Sequence, residues 1–350
     1  FFMSKLYDIM SFKKEYKNMK LQLTLNSLAL ILCCGDLIPS STQPISTQEW
    51  QEIEKKLKSA HKEPSMITGM SIDTLTQIIG LDEFTAHKIE KRQKLLPDLF
   101  YALQNLENQD IGVTTIYEED YPASLRVLGT KMPLVISYIG DLSLSYGVNI
   151  SVAGPQMMNK TMRHVTKEIM KKISKEGYTV VVGGSKGVEE LALRTQLTNN
   201  GNAVLFVADH MFDKIRLYSK YIKQNKLVIM TANDPYALFD VTHALDKNLY
   251  ICGMVFAQIV TGTHIGSGPV WFTSIQNIHS HWTRQLVYET LDYSGNIRLI
   301  EMGEAHFTDE DLKSEVTLAE ILDNHETVIK KDDPSIDQMT IFEFIEDKHE

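Results

Sequence analysis

Short apolar runs alternate with amphipathic stretches over residues 111–305. Runs rich in β-branched residues predict strands that are buried on both faces. The predicted strands are Val113–Tyr117, Leu134–Ile139, Asn149–Ala153, Tyr178–Val182, Asn202–Val207, Leu227–Thr231, Tyr250–Phe256 and Ile297–Met302. The predicted helices between them are Lys160–Glu176, Gly187–Asn199, Lys214–Gln224 and Trp271–Tyr288. This alternation indicates an α/β fold with a doubly wound, mostly parallel Rossmann-like sheet.

Residues 19–110 predict a small helical (SAM-like) domain that precedes the sheet. Its predicted helices are Leu21–Cys34, Thr47–His61, Ser71–Ile79 and Glu83–Glu107, with N-caps at Ser46 or Thr47, Ser71 and Asp82. The first of these resembles a short secretory signal. The helical spacing of its leucines favours a buried helix instead. Residues 1–18 precede this helix, and position 1 is a phenylalanine and not a methionine. No structure is predicted for these residues.

The charge is concentrated at the C-terminal end of the sequence. Residues 301–350 hold sixteen acidic residues and four lysines, a formal charge of −12. Because the whole chain carries −10, residues 1–300 carry +2. The net charge therefore does not exclude DNA binding. Residues 306–350 are predicted to be an acidic tail, either solvated or a partner-binding or autoinhibitory segment.

The cysteines and histidines show no metal-binding pattern. The chain has three cysteines, Cys33, Cys34 and Cys252, which form neither a disulfide framework nor a zinc spacing. A reducing, cytoplasmic location without a metal is therefore expected. His264, His279 and His281 could form a catalytic or stacking cluster, but surface or core roles are more common for histidines.

The most informative segment joins the strand Tyr178–Val182 to a helix through a loop of three glycines, Gly183, Gly184 and Gly187, with Ser185 and Lys186 between them. Glycines let backbone N–H groups approach a phosphate, and a helix N-terminus adds partial positive charge. The loop matches neither the P-loop nor the dinucleotide motif. It predicts a nucleotide or phosphate site, or a tight turn that binds nothing.

Two further glycine-rich turns follow predicted strands. One contains Gly266, Ser267 and Gly268 and precedes the helix that begins near Trp271. The other contains Gly154, at the end of the strand Asn149–Ala153. Loops after neighbouring strands could hold one ligand from several sides, because ligands of open α/β sheets lie at the carboxyl ends of the strands.

The order of these features resembles the DNA-processing protein A (DprA/Smf) family, whose Rossmann-like domain belongs to the SLOG group of nucleotide-binding folds. The resemblance spans roughly residues 20–302. It rests on the segments Asp120–Leu125, Met132–Val135, Tyr138–Asp141, Asn149–Pro155, Gly183–Glu190, Phe239 with Thr242–Ala244, and Gly266–Gly268. It implies a homodimeric, non-enzymatic protein without a cofactor. Such a protein binds single-stranded DNA in DNA uptake, transformation or recombination and passes it to a RecA-type recombinase.

Several residues depart from the family pattern, and most departures remove a charge. Pro155, Thr242 and Ala244 stand where the family has arginines, Ala257 where it has an acidic residue, and Glu189 and Leu193 where it has Asp and His. In the family the basic groups line the groove that binds DNA. The remaining candidate DNA contacts are Lys160, Arg163 and Lys167, on one face of a predicted helix, and His243.

Two other functions stay open. The lost arginines favour a SLOG-type sensor that binds a small nucleotide without DNA. The loop also resembles the cytokinin-activating LOG branch of the group, which implies a nucleotide N-glycosidase using Glu189 or Glu190 with Arg194. Glu189 and Glu190 point about 100° apart on a helix, so only one of them could face the loop. The residues provide no complete catalytic set.

Overall fold

The computed structural model of the chain describes residues 21–313 and 315–324. These residues form two compact units. The first unit comprises residues 21–121, Pro133–Ile139 and Ala232–Pro235. The second comprises Pro122–Met132, Gly140–Thr231 and the residues from Tyr236 onward. The predicted division at 110/111 and 305/306 stays a prediction of domain organisation, since each unit includes residues from two of the predicted regions.

The first unit is mainly helical. It contains the helices α1 (Leu25–Cys34), α2 (Thr47–Ser59), α3 (Glu83–Gln93) and α4 (Leu96–Glu107), a 3-10 helix at Pro64–Gly69 and a π-helix at Thr74–Ile78. Strands β1 (Gly112–Thr115) and β2 (Val135–Ile139) pair antiparallel. The helix predicted over Glu83–Glu107 is divided in two. The ring of Pro97 would clash with the carbonyl of Gln93 in a continuous helix, and α3 ends at Gln93.

Three predicted N-caps in this unit are confirmed. Ser46 and Glu49 form a capping box at the start of α2, in which each side chain accepts from the backbone N–H of the other residue. Asp82 accepts from the Thr85 N–H at the start of α3. Ser71 accepts from the Thr74 N–H at 3.2 Å. These contacts satisfy N–H groups that have no partner inside a helix.

Helix α1 is buried, as the helical spacing of its leucines predicts. Arg92 of α3, which is 1% exposed, holds the end of this helix. Its guanidinium donates to three backbone carbonyls, those of Leu32 at 2.7 Å, Gly35 at 2.6 Å and Thr42 at 3.0 Å. The carbonyls of Leu32 and Gly35 stand at the end of α1, so the guanidinium satisfies acceptors that this end leaves open and places a positive charge at its negative pole.

The second unit contains a sheet of parallel strands. They are β3 (Asn149–Ala153), β4 (Thr179–Val182), β5 (Ala203–Phe206), β6 (Leu227–Thr231), β7 (Ala257–Val260), β8 (Arg284–Tyr288) and β9 (Ala305–Phe307). Their order is β6-β5-β4-β3-β7-β8-β9. The chain thus winds outward from β3 to β6, then returns and winds the other way from β7 to β9. This confirms the predicted α/β class and doubly wound sheet.

Helices connect these strands. They are α5 (Lys160–Lys175), α6 (Val188–Thr198), α7 (Met211–Lys223), α8 (Val241–Met254), α9 (Gly268–Ser280), α10 (Ser294–Glu301) and α11 (Leu318–Asn324). The last two residues of β9 and the whole of α11 lie within the region predicted as an acidic tail. Lys172 of α5 donates to the carbonyls of Lys313 and Val316, and Glu176 accepts from the Leu318 N–H. Residues up to 324 are thereby attached to α5, and residues 325–350 lie outside the described part.

Three predicted elements are wrong. The residues Tyr250–Met254 form the end of α8, not a strand, and Ile297–Glu301 belong to α10. The helix predicted over Trp271–Tyr288 ends at Ser280, where His281 adopts a left-handed conformation, and β8 follows. A short apolar run does not distinguish a buried helix from a buried strand, because both are apolar on most sides.

The described residues contain no helix long and apolar enough to cross a membrane. Cys33, Cys34 and Cys252 are free thiols. Burial raises the pKa of Cys33 and of Cys252 to about 12. Both side chains therefore remain thiols at neutral pH, and the expected cytoplasmic location stays a prediction.

Replacing Arg92 by methionine is expected to lower the free energy of unfolding by about 3 kcal/mol, because two buried carbonyls and one half-buried carbonyl lose their donor. The matched control is Lys91→Met, which removes the same charge from an exposed position of the same helix. Urea denaturation measures both. Equal midpoints for the two variants would contradict the role given to Arg92.

Glu304, just before β9, is 9% exposed, and burial raises the pKa of its carboxyl to about 7, against a smaller lowering by Gln285. In the unfolded chain the Glu304 carboxyl has its ordinary, lower pKa. As the pH rises from that pKa toward 7, the carboxyl ionises in the unfolded chain before it ionises in the folded protein, and the folded protein therefore loses stability. Glu304→Gln is therefore expected to stabilise the protein at about pH 8 by up to about 3 kcal/mol, with little effect near pH 4. Urea midpoints at both pH values test this, with exposed Glu301→Gln as the control.

Candidate functional site

The winding direction of the sheet reverses between β3 and β7, which pair in parallel as neighbours. Strand β3 therefore lies between β7 and β4, with which it also pairs in parallel. The three glycine loops predicted from the sequence follow these three strands. Ligands of doubly wound sheets bind outside the carboxyl ends of the strands where the winding reverses. The structure therefore brings the predicted loops together at the position where this fold binds ligands.

Gly154, directly after β3, joins the three loops. A Cβ atom there would lie 2.3 Å from the Thr261 Oγ1 after β7 and 2.7 Å from a Val188 methyl at the start of α6. The Val188 N–H donates to the Pro155 carbonyl at 3.2 Å, and the Thr261 N–H donates to the Ala153 carbonyl at 2.9 Å. Only a residue without a side chain allows this approach.

The loop after β4 contains Gly183, Gly184, Ser185, Lys186 and Gly187. Gly184 and Gly187 have φ angles of +69° and +91°, and Gly187 is the N-cap of α6 without a side-chain cap. Lys186 is exposed, whereas Ser185 is half-buried.

The carboxylate of Glu189 accepts from the Ser185 N–H at 2.9 Å. This backbone donor of the loop is therefore already satisfied by a side chain of the protein. Glu190, the next residue, is 3.8 Å from the Arg194 guanidinium. Of the two carboxylates, that of Glu189 therefore bonds to the loop, whereas Glu190 contacts it through its backbone N–H, which donates to the Ser185 carbonyl at 3.0 Å.

Two lysines that sequence reasoning did not assign to the site lie against this loop. Lys247 of α8 places its Nζ 3.4 Å from the Ser185 Oγ. A Cβ atom at Gly183 would lie 2.3 Å from that same Nζ. Lys214 of α7 donates to the Gly184 carbonyl at 3.3 Å. Neither spacing nor composition indicates these contacts, because both lysines reach the loop from helices that follow other strands.

The loop after β7 ends at an open helix terminus. Gly266 and Gly268 have φ angles of +65° and +79°. Ser267 is the N-cap of α9, is exposed and makes no capping hydrogen bond. The buried Asn296 fixes the base of this loop. It accepts from the Thr263 N–H at 2.8 Å and donates to the Thr261 carbonyl at 3.2 Å.

The predicted DNA contacts on α5 lie on one exposed face, comprising Lys160, Arg163 and Lys167. Lys172, further along the same helix, turns inward and is 7% exposed. His243 is half-buried in the first turn of α8, and its Nδ1 has no hydrogen-bond partner among the described residues. The basic track that the structure leaves accessible therefore lies on α5.

An open cavity of about 280 Å³ adjoins Gly187. Two arginines, one acidic and four other residues line it, namely Arg163, Arg194, Glu190, Gln156, Met158, Gly187 and Leu191. Within residues 21–313 and 315–324, no group of three His, Cys, Asp or Glu side chains could hold a metal ion. The available chemistry is that of an anion site made from backbone, hydroxyl and cationic groups.

Comparison with known proteins identifies one family. The family model for DNA recombination-mediator protein A matches residues 112–311. No curated protein matches the chain. The structure is similar to DNA processing protein A from Streptococcus pneumoniae, with a TM-score of 0.66 and 16% identity, over 87% of this chain and 99% of that one.

The chain is also similar to DNA processing protein A from Helicobacter pylori, with a TM-score of 0.50 and 15% identity, over 61% of this chain and 97% of that one. That structure is described as giving insight into a single-stranded DNA binding mode of the Helicobacter protein. At these identities the two likenesses show the shared fold.

Gly187→Ala is expected to lower the free energy of unfolding by about 3 kcal/mol, because it adds a clash to a strained φ angle. The new Cβ would lie 2.4 Å from the carbonyl oxygens of both Pro155 and Gln156. Gly268→Ala is the control, since its φ is also positive but its Cβ meets nothing within 4 Å. It should cost about 1 kcal/mol. If thermal or urea denaturation finds equal losses, the close approach does not constrain this site.

Proposed function

Because this chain belongs to the DNA recombination-mediator protein A family, we propose that it binds single-stranded DNA across the carboxyl ends of β4, β3 and β7. The observation that carries this proposal is the junction of three glycine loops where the winding of the sheet reverses. Such loops let a sugar–phosphate backbone approach the protein backbone closely. The Helicobacter relative supports the ligand class, since its description names single-stranded DNA.

The exposed charges favour a polyanion at this edge. Lys186 lies in the loop after β4, and the exposed face of α5 begins close to the Gly154 turn and carries Lys160, Arg163 and Lys167. Single-stranded DNA binding requires cations that track the phosphates and release counterions. The open N-terminus of α9 adds backbone donors at the third loop.

Exposed apolar side chains that precede α8 could stack on bases. Leu238 and Phe239 are 74% and 64% exposed in the segment that leads into α8, the helix that carries Lys247. Stacking on aromatic side chains is the usual way in which proteins hold single strands without reading their sequence. We propose Phe239 for this role. We also propose that the protein acts as a homodimer and passes the bound strand to a RecA-type recombinase, as a recombination mediator would.

A second candidate function is the binding of a small nucleotide. The cavity beside Gly187 favours it, because Arg163 and Arg194 line a space of about 280 Å³. Two guanidinium groups suit a terminal phosphate. The two functions differ in their salt dependence, because a mononucleotide neutralises fewer cations than a strand does.

Removing three cations from α5, in the variant Lys160→Ala/Arg163→Ala/Lys167→Ala, is expected to weaken oligo-dT binding. The slope of log affinity against log salt should fall by about 2, because each phosphate contact on a single strand contributes about 0.7. Fluorescence anisotropy of labelled oligo-dT at several salt concentrations measures both quantities.

The matched control removes three exposed lysines from the last turns of α5 and α7, in the variant Lys175→Ala/Lys220→Ala/Lys223→Ala. These positions lie toward the amino ends of the strands, away from the glycine loops, so oligo-dT binding should be retained. If oligo-dT does not bind the unaltered protein at low salt, DNA binding is refuted. Tight binding of a mononucleotide in its place would establish the second candidate.

A further inference from the structure

Lys247 lies in the middle of α8 and is 6% exposed, although its side chain ends in a charged group. Its Nζ has one hydrogen-bond partner within the described chain, the hydroxyl of Ser185 at the long distance of 3.4 Å. An ammonium carries three donors, so most of its capacity to donate is unused. Burial of a charge without a partner is costly, and buried charges are normally paired.

The two other buried cations of the described residues each donate to several carbonyls. Arg92 donates to three carbonyls, and Lys172 donates to the carbonyls of Lys313 and Val316. Lys247 differs from both, because no carboxylate or carbonyl within the described residues accepts from its ammonium. The carboxylate of Glu189, in the first turn of α6, accepts from the Ser185 N–H instead.

The surroundings of Lys247 define the missing partner as an anion. The ammonium lies against the backbone of Gly183, at the carboxyl end of β4, and faces the loop that leads into α6. Backbone N–H groups, a hydroxyl and a buried ammonium together form the chemistry of a phosphate oxygen site.

We propose that Lys247 binds a phosphate oxygen of the ligand at the loop Gly183–Gly187, and that Gly183 lacks a side chain in order to leave space for this ammonium. The inference rests on the proposed function for the source of the phosphate, a DNA strand. Lys247 lies one turn after Ala244 in α8, and so on the same side of the helix. The position where the family resemblance places an arginine thus has a cation one turn further along.

The first test replaces Lys247 by methionine, which keeps the length of the side chain and removes its charge. Oligo-dT affinity should fall about tenfold, and the salt slope should fall by about 0.7. The melting temperature of the ligand-free protein should rise, because an unpaired buried charge is removed. A lysine with a purely structural role predicts the reverse, a lower melting temperature and unchanged affinity, and that result would overturn the proposal.

Gly183→Ala tests the same contact from the other side. The added methyl group meets the far end of the flexible Lys247 side chain, at 2.3 Å from Nζ, so the chain can fold while the ammonium is displaced. We expect a similar loss of affinity in this variant, even if Lys247→Met does not fold. Lys223→Met is the matched control, because it removes an exposed charge from the last turn of α7, away from the loop. It should leave the affinity for oligo-dT unchanged.

A thermal-shift series with inorganic phosphate, tripolyphosphate and dTMP separates the inference from the proposed function. If oligo-dT fails to bind but one of these probes stabilises the unaltered protein and not Lys247→Met, the phosphate site stands and its DNA source is wrong. If oligo-dT binds equally to the unaltered protein, Lys247→Met and Gly183→Ala, the function stands and the role of Lys247 is refuted. If neither oligo-dT nor any probe binds, both fail.

Discussion

The close approach of three turns at the carboxyl ends of β4, β3 and β7 is the constraint on which the site depends. Gly154 has no space for a Cβ atom between Thr261 and Val188. Gly187 has none between two carbonyl oxygens and has a positive φ angle. Because these contacts link the ends of β3 and β7 to the start of α6, they fix the relative positions of all three loops. A ligand at this edge would meet a preformed surface of backbone donors.

The residues that define this constraint were visible in the sequence, because glycine is the one residue whose absence of a side chain is a structural requirement. The strands Asn149–Ala153 and Leu227–Thr231 and the N-caps Ser46 and Asp82 were predictable for similar reasons, since each is determined by local backbone preferences. The segment Tyr250–Met254 was not predictable in this way. It is apolar because this end of α8 is buried, and the apolar composition of a buried segment is the same for a helix and a strand.

The family resemblance, confirmed by the match over residues 112–311, rests on the same kind of local signal. Glycines and short strand ends can be recognised in the sequence because the turns that they form have few alternatives. The cations of the site could not be predicted from motif positions. Lys214 and Lys247 reach the loop after β4 from α7 and α8, so their contribution depends on the order of strands in the sheet. Asn296 supports the loop after β7 from the following crossover in the same way.

Because cations can reach the site from helices outside the motifs, the absence of arginines at Thr242 and Ala244 does not by itself exclude an anion site. Thr242 and Ala244 remove positive charge from the first turn of α8, and at the level of the sequence this argues against a polyanion. A phosphate, however, responds to the position of an ammonium in space and not to its position in a motif. Lys247 lies on the face of the helix that Ala244 occupies and lies against Gly183, so the proposed contact places a buried ammonium one turn beyond Ala244. A buried cation without a carboxylate partner carries a desolvation cost, and an anionic ligand would offset it. The loss of arginines from the motif is therefore compatible with an anion site, provided that the ligand reaches the ammonium beside Gly183.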